Sequence, residues 1–127
     1  MREILFRGKT YDGEWVYGGY FKGRDCHFIP KGIGAAFVEV KQETVGQFTG
    51  LFDNNGKKIF DGDIVSFYKV LGHLGFVKPF EGVVKYGRGY YYVEYINERN
   101  QEGKWNLSSC WHLVVVGNIH DNKGELK

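Results

Sequence analysis

Apolar and polar residues alternate along most of this chain, as they do in strands with one buried face. Over no stretch of about a dozen residues do apolar positions recur at helical spacing without an intervening glycine. "REILFRG" puts Ile4 and Phe6 on one face, with Glu3 and Arg7 on the other. Asp12-Gly13 then reads as a two-residue hairpin loop leading into a strand "WVYGGYF". "CHFI" and "AAFVEV" are two further short strands, separated by the turn "PKGIG". "KQETVGQ" supplies one short helical turn, the only helical element expected.

Two hairpins are sharper. In "GLFDNNGKKIFDGDIV", Asn55-Gly56 reads as the tip of a type I′ turn, with positive φ at both residues. That register pairs Asp53 with Lys58, Phe52 with Ile59 and Leu51 with Phe60, one charge pair and two apolar pairs. In "GVVKYGRGYYYVEYI", a two-residue Arg88-Gly89 loop places Val84, Tyr86, Tyr91, Val93 and Tyr95 on one face, apolar enough to be core. Val83, Lys85, Tyr90, Tyr92 and Glu94 share the other. A three-residue loop would instead bring Glu94 onto the face of Val84, which fits worse. After a polar loop, "NERNQEGKWN", the segment "LSSCWHLVVVGNIHDN" reads as a buried strand, a turn and a short final strand, before a frayed tail "KGELK".

Composition sharpens the β assignment. Aromatic residues make up 17% of the 127 positions, and 19 glycines stand against 2 prolines, which suits strands joined by tight turns. A chain of this length buries enough surface to fold without a disulfide or structural metal. The formal net charge of +2 is small and the charges are interspersed, a weaker signal than the clustered basic footprint of most nucleic-acid binders. No apolar run has the length of a signal peptide core or a membrane span, so a cytoplasmic protein is expected, with Cys26 and Cys110 as reduced thiols.

The chemistry-bearing residues were weighed against plain structural roles. Asp61 and Asp63 flank Gly62 at a strand entrance, where alternate carboxylates can converge on a divalent metal and serve a hydrolase. Asx residues cap backbone N–H groups in turns routinely, and that reading is preferred. No frame of the aspartate-rich stretch satisfies a calcium loop: starting at Asp53 puts Lys57 and Lys58 at its fifth and sixth positions. Cys26 and His27 are adjacent on a strand and point to opposite faces, while Cys110 and His112 need partners from elsewhere to hold zinc. Neither cysteine is marked as an activated nucleophile, and no phosphate-binding glycine loop occurs. No catalytic residue, metal or cofactor is therefore assigned. The surface that stands out is Lys85, Arg88, Tyr90 and Tyr92, where rings and cations share an exposed face. Such a face suits a protein contact or the stacked bases of single-stranded nucleic acid, and an ordinary aromatic ladder stabilising the hairpin is the plain alternative.

"FRG" near the start, "VGQFTGLFDNNGKKIFDGDIV" in the middle and "VVVGNIHDNKGEL" at the end resemble the phage YopX-like family. These blocks come in the family's order and span both ends of the chain. His120 and Asp121 depart from its usual aromatic and glutamate, and the segment from Val65 to Trp111 carries no resemblance. The resemblance implies a small all-β protein of phages, prophages or mobile elements, with an SH3-type barrel in the C-terminal part and self-association into a homo-oligomer. It implies no reaction and no catalytic residues. With the strand count, it leads to a β lobe over 1–50 and a barrel over 51–127, packed as one compact unit without a flexible linker. The expected function is that of a non-enzymatic accessory protein binding a macromolecular partner, with no membrane role. Nucleic-acid binding by the same face, and the Asp61/Asp63 hydrolase, are the alternatives.

Overall fold

The structure, a computed structural model, describes residues 4–30, 37–68, 79–96 and 101–121. The expected turn following Pro30 and the frayed tail lie outside them. The chain is nearly all β, as the alternation predicts, and it divides into two compact units, Met1–Gly50 and Leu51–Lys127.

In the first unit, β1 (Phe6–Lys9) pairs antiparallel with β2 (Trp15–Gly18). A three-stranded sheet runs in the order β3 (Phe21–Lys22), β4 (His27–Pro30), β5 (Phe37–Val40). The single expected strand "WVYGGYF" is thus two strands in different sheets, because Gly18-Gly19 lets the chain turn a corner. Val16, Ile29 and Val40 form the buried core, with Phe6, Tyr20 and Val45 packed against it. The expected helical turn is a 3-10 helix at Gln42–Thr44, and Thr44 Oγ1 accepts from Lys9 N at 2.8 Å.

This packing accounts for "FRG". The Phe6 ring lies 5.4 Å from that of Tyr20. Arg7 is buried, its guanidinium stacked 4.8 Å over the Trp15 ring. A Cβ on Gly8 would come within 2.9 Å of Val40 Cβ, so only glycine fits there. Ile4, by contrast, is 73% exposed although Phe6 on the same face packs on the core, since Ile4 precedes the paired residues of β1.

Strand β6 (Gly46–Phe52) begins in the first unit and ends in the second. The second unit continues with β7 (Lys58–Phe60), β8 (Asp63–Tyr68), β9 (Phe80–Gly87), β10 (Tyr90–Ile96), β11 (Glu102–Asn106) and β12 (Trp111–Asn118). Five of these form one antiparallel sheet in the order β11-β10-β9-β8-β12. The expected closure into an SH3-type barrel is not found: β11 and β12 are the two edges, and no pairing joins them among the described residues. Closing so few strands demands steep tilt and a shared register, whereas β12 spends its pairing on β8 and shifts register twice along it. Strand β11 corrects a second expectation, since "EGKWN" was read as loop; its polar alternation is that of an edge strand paired on one side.

The core of this unit gathers Ile59, Val65, Phe67, Val84, Val93, Tyr95, Leu107 and Leu113. Full burial of each such aliphatic or phenyl side chain contributes about 1.5–3 kcal/mol. Tyr95 is accommodated by glycine on both neighbouring strands: it pairs with Gly82 of β9 and Gly103 of β11, and its Cζ passes 2.5 Å from where a Gly103 Cβ would stand.

Candidate functional site

The second hairpin forms as its sequence predicts. Gly87 pairs with Tyr90 across the two-residue Arg88-Gly89 loop, and both loop residues have positive φ, 53° and 87°. Val84 and Val93 face each other in the core at 0% exposure, with Tyr95 beside them. Tyr86 departs from expectation. It lies on the core-side face yet is 55% exposed, next to the end of the hairpin, where it meets Tyr91 edge-on at 4.9 Å.

On the opposite face, register places Lys85 across from Tyr92 and Val83 across from Glu94. Tyr90 is 44% exposed and Tyr92 half-buried, their ring centroids 5.9 Å apart. Arg88 stands at the exposed tip beside them. Lys85 Nζ donates to Glu94 Oε1 at 2.7 Å, and that hydrogen bond, against the opposing effect of desolvation, raises the Lys85 pKa. Lys104 of β11, not anticipated from the sequence, lies opposite Glu94 and holds its ammonium 5.2 Å from the Tyr92 ring centroid. Nothing in the order of residues could place it there while β11 was taken for loop.

The first hairpin departs from expectation. Gly56 N donates to Asp53 O at 3.0 Å and Asp53 N donates to Lys57 O at 2.8 Å, so the loop has three residues, Asn54-Asn55-Gly56. Only Gly56 takes positive φ, 83°. Asp53 therefore faces Lys57 rather than Lys58, and Lys58 Nζ lies 5.8 Å from the ring centroid of Phe52, the residue expected to face Ile59. The Asp53 carboxylate is responsible. Oδ1 accepts from Asn55 N at 2.9 Å and from Lys57 N at 2.8 Å, while Oδ2 reaches Val115 N of β12 at 3.0 Å. Burial pushes the Asp53 pKa up, but the three backbone donors and Lys57 outweigh it and hold the carboxyl below its ordinary value of 3.8. Asn54 N completes the clasp by donating to Leu113 O at 2.6 Å.

Asp63 is buried, and its Oδ2 accepts from Phe60 N at 2.8 Å, which is the turn-capping role preferred for it; Asp61 is half-buried beside it. Among the described residues no three His, Cys, Asp or Glu side chains gather as metal ligands. Cys26 and Cys110 are free thiols.

A further concave surface escaped the sequence reading. Asn54, Ser66, Tyr68, His112, Val114 and Val116 line a shallow groove of about 590 Å³ on β8 and β12. Asn54 and His112 also border a second groove of about 320 Å³ that includes Cys110 and Leu107. His112 sits at a β-bulge, where His112 and Leu113 lie between the pairs Trp111–Tyr68 and Val114–Ser66. Its φ of 48° is left-handed, and its ring meets Tyr68 edge-on at 5.8 Å. Bulges and backbone signs depend on which strands pair, so a single strand's sequence does not announce them.

Among the described residues no helix is long and apolar enough to cross a membrane. No curated protein matches the chain. A family model described as YopX protein matches residues 6–127, and the chain, carrying the buried "FRG" corner and the Asp53 loop within that span, belongs to the YopX family, whose membership suggests a protein of phage type.

Proposed function

We propose that this is a non-enzymatic accessory protein of phage or prophage origin, acting in the bacterial cytoplasm by binding a protein partner. The contact face is Lys85, Arg88, Tyr90 and Tyr92, with Lys104 at its border. One observation carries the preference for protein over nucleic acid: two of the cations here, Lys85 and Lys104, are already engaged within the face, with Arg88 at its exposed tip. Lys85 is ion-paired to Glu94 at 2.7 Å, and Lys104 lies against the Tyr92 ring that a base would need for stacking. A patch that joins exposed Tyr90 to half-buried Tyr92, with Glu94 offsetting Lys85, has the composition of a protein interface.

Affinity capture from infected host cells tests this. Tyr90→Ala, alone and combined with Tyr92→Ala, should abolish recovery of the partner seen with the unaltered protein. The single variant should leave the melting temperature unchanged within about 2 °C, and the pair should cost about 1 kcal/mol through the lost Lys104 contact. Equal recovery by variant and parent would refute the assignment. So would a gel shift with nucleic acid at low salt that fades steeply as salt rises, because that dependence reports phosphate contacts.

A further inference from the structure

We infer that the groove on the outer face of β8 and β12 is a binding site for a neutral nucleobase ring, with His112 and Asn54 as its recognition residues. The first observation is conformational. At this bulge a two-for-one pairing turns on a residue with left-handed φ, a place where glycine is the unstrained choice. The chain holds histidine there instead, at φ 48°. Strain of this kind persists where the surroundings over-determine it, and the side chain it carries is then a candidate for function. Here the strained backbone aims an exposed imidazole at the groove wall, edge-on to Tyr68.

The second observation is the chemistry of the lining. Ser66, Tyr68, His112 and Asn54 supply hydroxyl, phenol, imidazole and amide groups, each able to donate and accept; Val114 and Val116 supply apolar wall. Among the described residues no lysine, arginine, aspartate or glutamate lines it. Among these described residues a phosphate or carboxylate ligand finds no counter-charge, and neither does an ammonium ligand. What fits is an uncharged planar ring with several donors and acceptors along one edge. An indole or phenol offers a single hydrogen-bonding group, whereas a base offers the paired pattern that an Asn amide reads. The volume of about 590 Å³ falls in the range of small-molecule sites. The Asn54 backbone is held beside the groove, because its N–H donates to Leu113 O at 2.6 Å. This site is separate from the hairpin face and does not depend on the partner proposed for it.

The test is titration of the isotope-labelled protein with adenosine, guanosine, cytidine and uridine, followed by NMR. At least one nucleoside should shift the resonances of Ser66, Tyr68, His112 and Val114 together. Affinity should change less than about twofold between low and high salt, since no phosphate is read. His112→Gly relieves the backbone, so it should fold at least as well as the parent while binding about tenfold more weakly. Asn54→Ala keeps the backbone clasp and should weaken binding similarly. A short single-stranded oligonucleotide separates the two sources of a base: binding as tight as the free nucleoside, and as indifferent to salt, places the base of either source in the groove. No shifts with any nucleoside, binding unaltered by His112→Gly and Asn54→Ala, or oligonucleotide binding that collapses with salt would each overturn the inference.

Discussion

Replacing Asp53 with alanine is expected to destabilise the second unit by about 3 kcal/mol, since three backbone N–H groups lose a charged acceptor at once. Those of Asn55 and Lys57 can turn to water, but that of Val115 belongs to β12, 62 residues away in sequence, and is partly buried. Asp53→Asn keeps one carbonyl oxygen and should cost less, about 1–2 kcal/mol. The pH dependence distinguishes this role from simple packing. Because the folded carboxyl titrates below its ordinary value of 3.8, its contribution is fully present above that pH and is lost as pH falls through the lower folded value. Denaturant melts of the parent from neutral pH downward should therefore show an extra loss of stability below about pH 4 that Asp53→Ala lacks. Parallel curves for the two proteins would contradict the assignment.

Gly82→Ala should have a comparable effect by a different route. A Cβ there would stand 2.5 Å from Glu94 O and 2.6 Å from Val93 Cγ1. The first is backbone of the interior strand β10 and the second a fully buried side chain, so neither can yield without disturbing the β9–β10 ladder or the core. The expected cost is about 3 kcal/mol, near the upper end for overpacking, and the melting temperature should fall by about 10 °C. Gly87→Ala on the same strand is the control. Its Cβ would meet chiefly Tyr92 Cε1, at 3.3 Å, the far end of a side chain on an open face. That variant should lose less than about 1 kcal/mol. Similar melting temperatures for the two variants would show that the close approach at Gly82 is not limiting.

The hairpins show how far the sequence could be read and where it misled. Three loops place glycine at the reversal, Gly13, Gly56 and Gly89, and the dipeptide pattern predicts a two-residue turn at each. Only Arg88-Gly89 is one. In the other two the residue three places before the glycine carries a side-chain oxygen. Thr10 Oγ1 accepts from Glu14 N at 3.1 Å, as Asp53 Oδ1 does from Lys57 N at 2.8 Å. That extra acceptor favours a loop of three, with glycine alone in the left-handed region at φ 89° and 83°. Before Gly89 the corresponding residue is Tyr86, which offers no such short-range acceptor. The dipeptide marks the reversal, and the side chain three places before its glycine selects the loop length.

For the candidate sites the same division holds. Lys85, Tyr90 and Tyr92 share a face because strand alternation is local, so that grouping was legible. Lys104 depended on an edge strand of polar composition, and His112 on a bulge between strands far apart in sequence, so neither was. Arg7 shows the converse: an unambiguously charged residue is buried because an indole covers it.

The clasp at the 53–54 corner also bears on how the molecule behaves in crowded solution. Strand β12 carries "LVVV" along a sheet margin, the kind of sequence that recruits a stranger's backbone into an intermolecular ladder. Two of the groups such a stranger would use, Leu113 O and Val115 N, are already occupied by the chain's own loop. Opening that corner would leave both groups, on an apolar margin, open to a neighbouring chain.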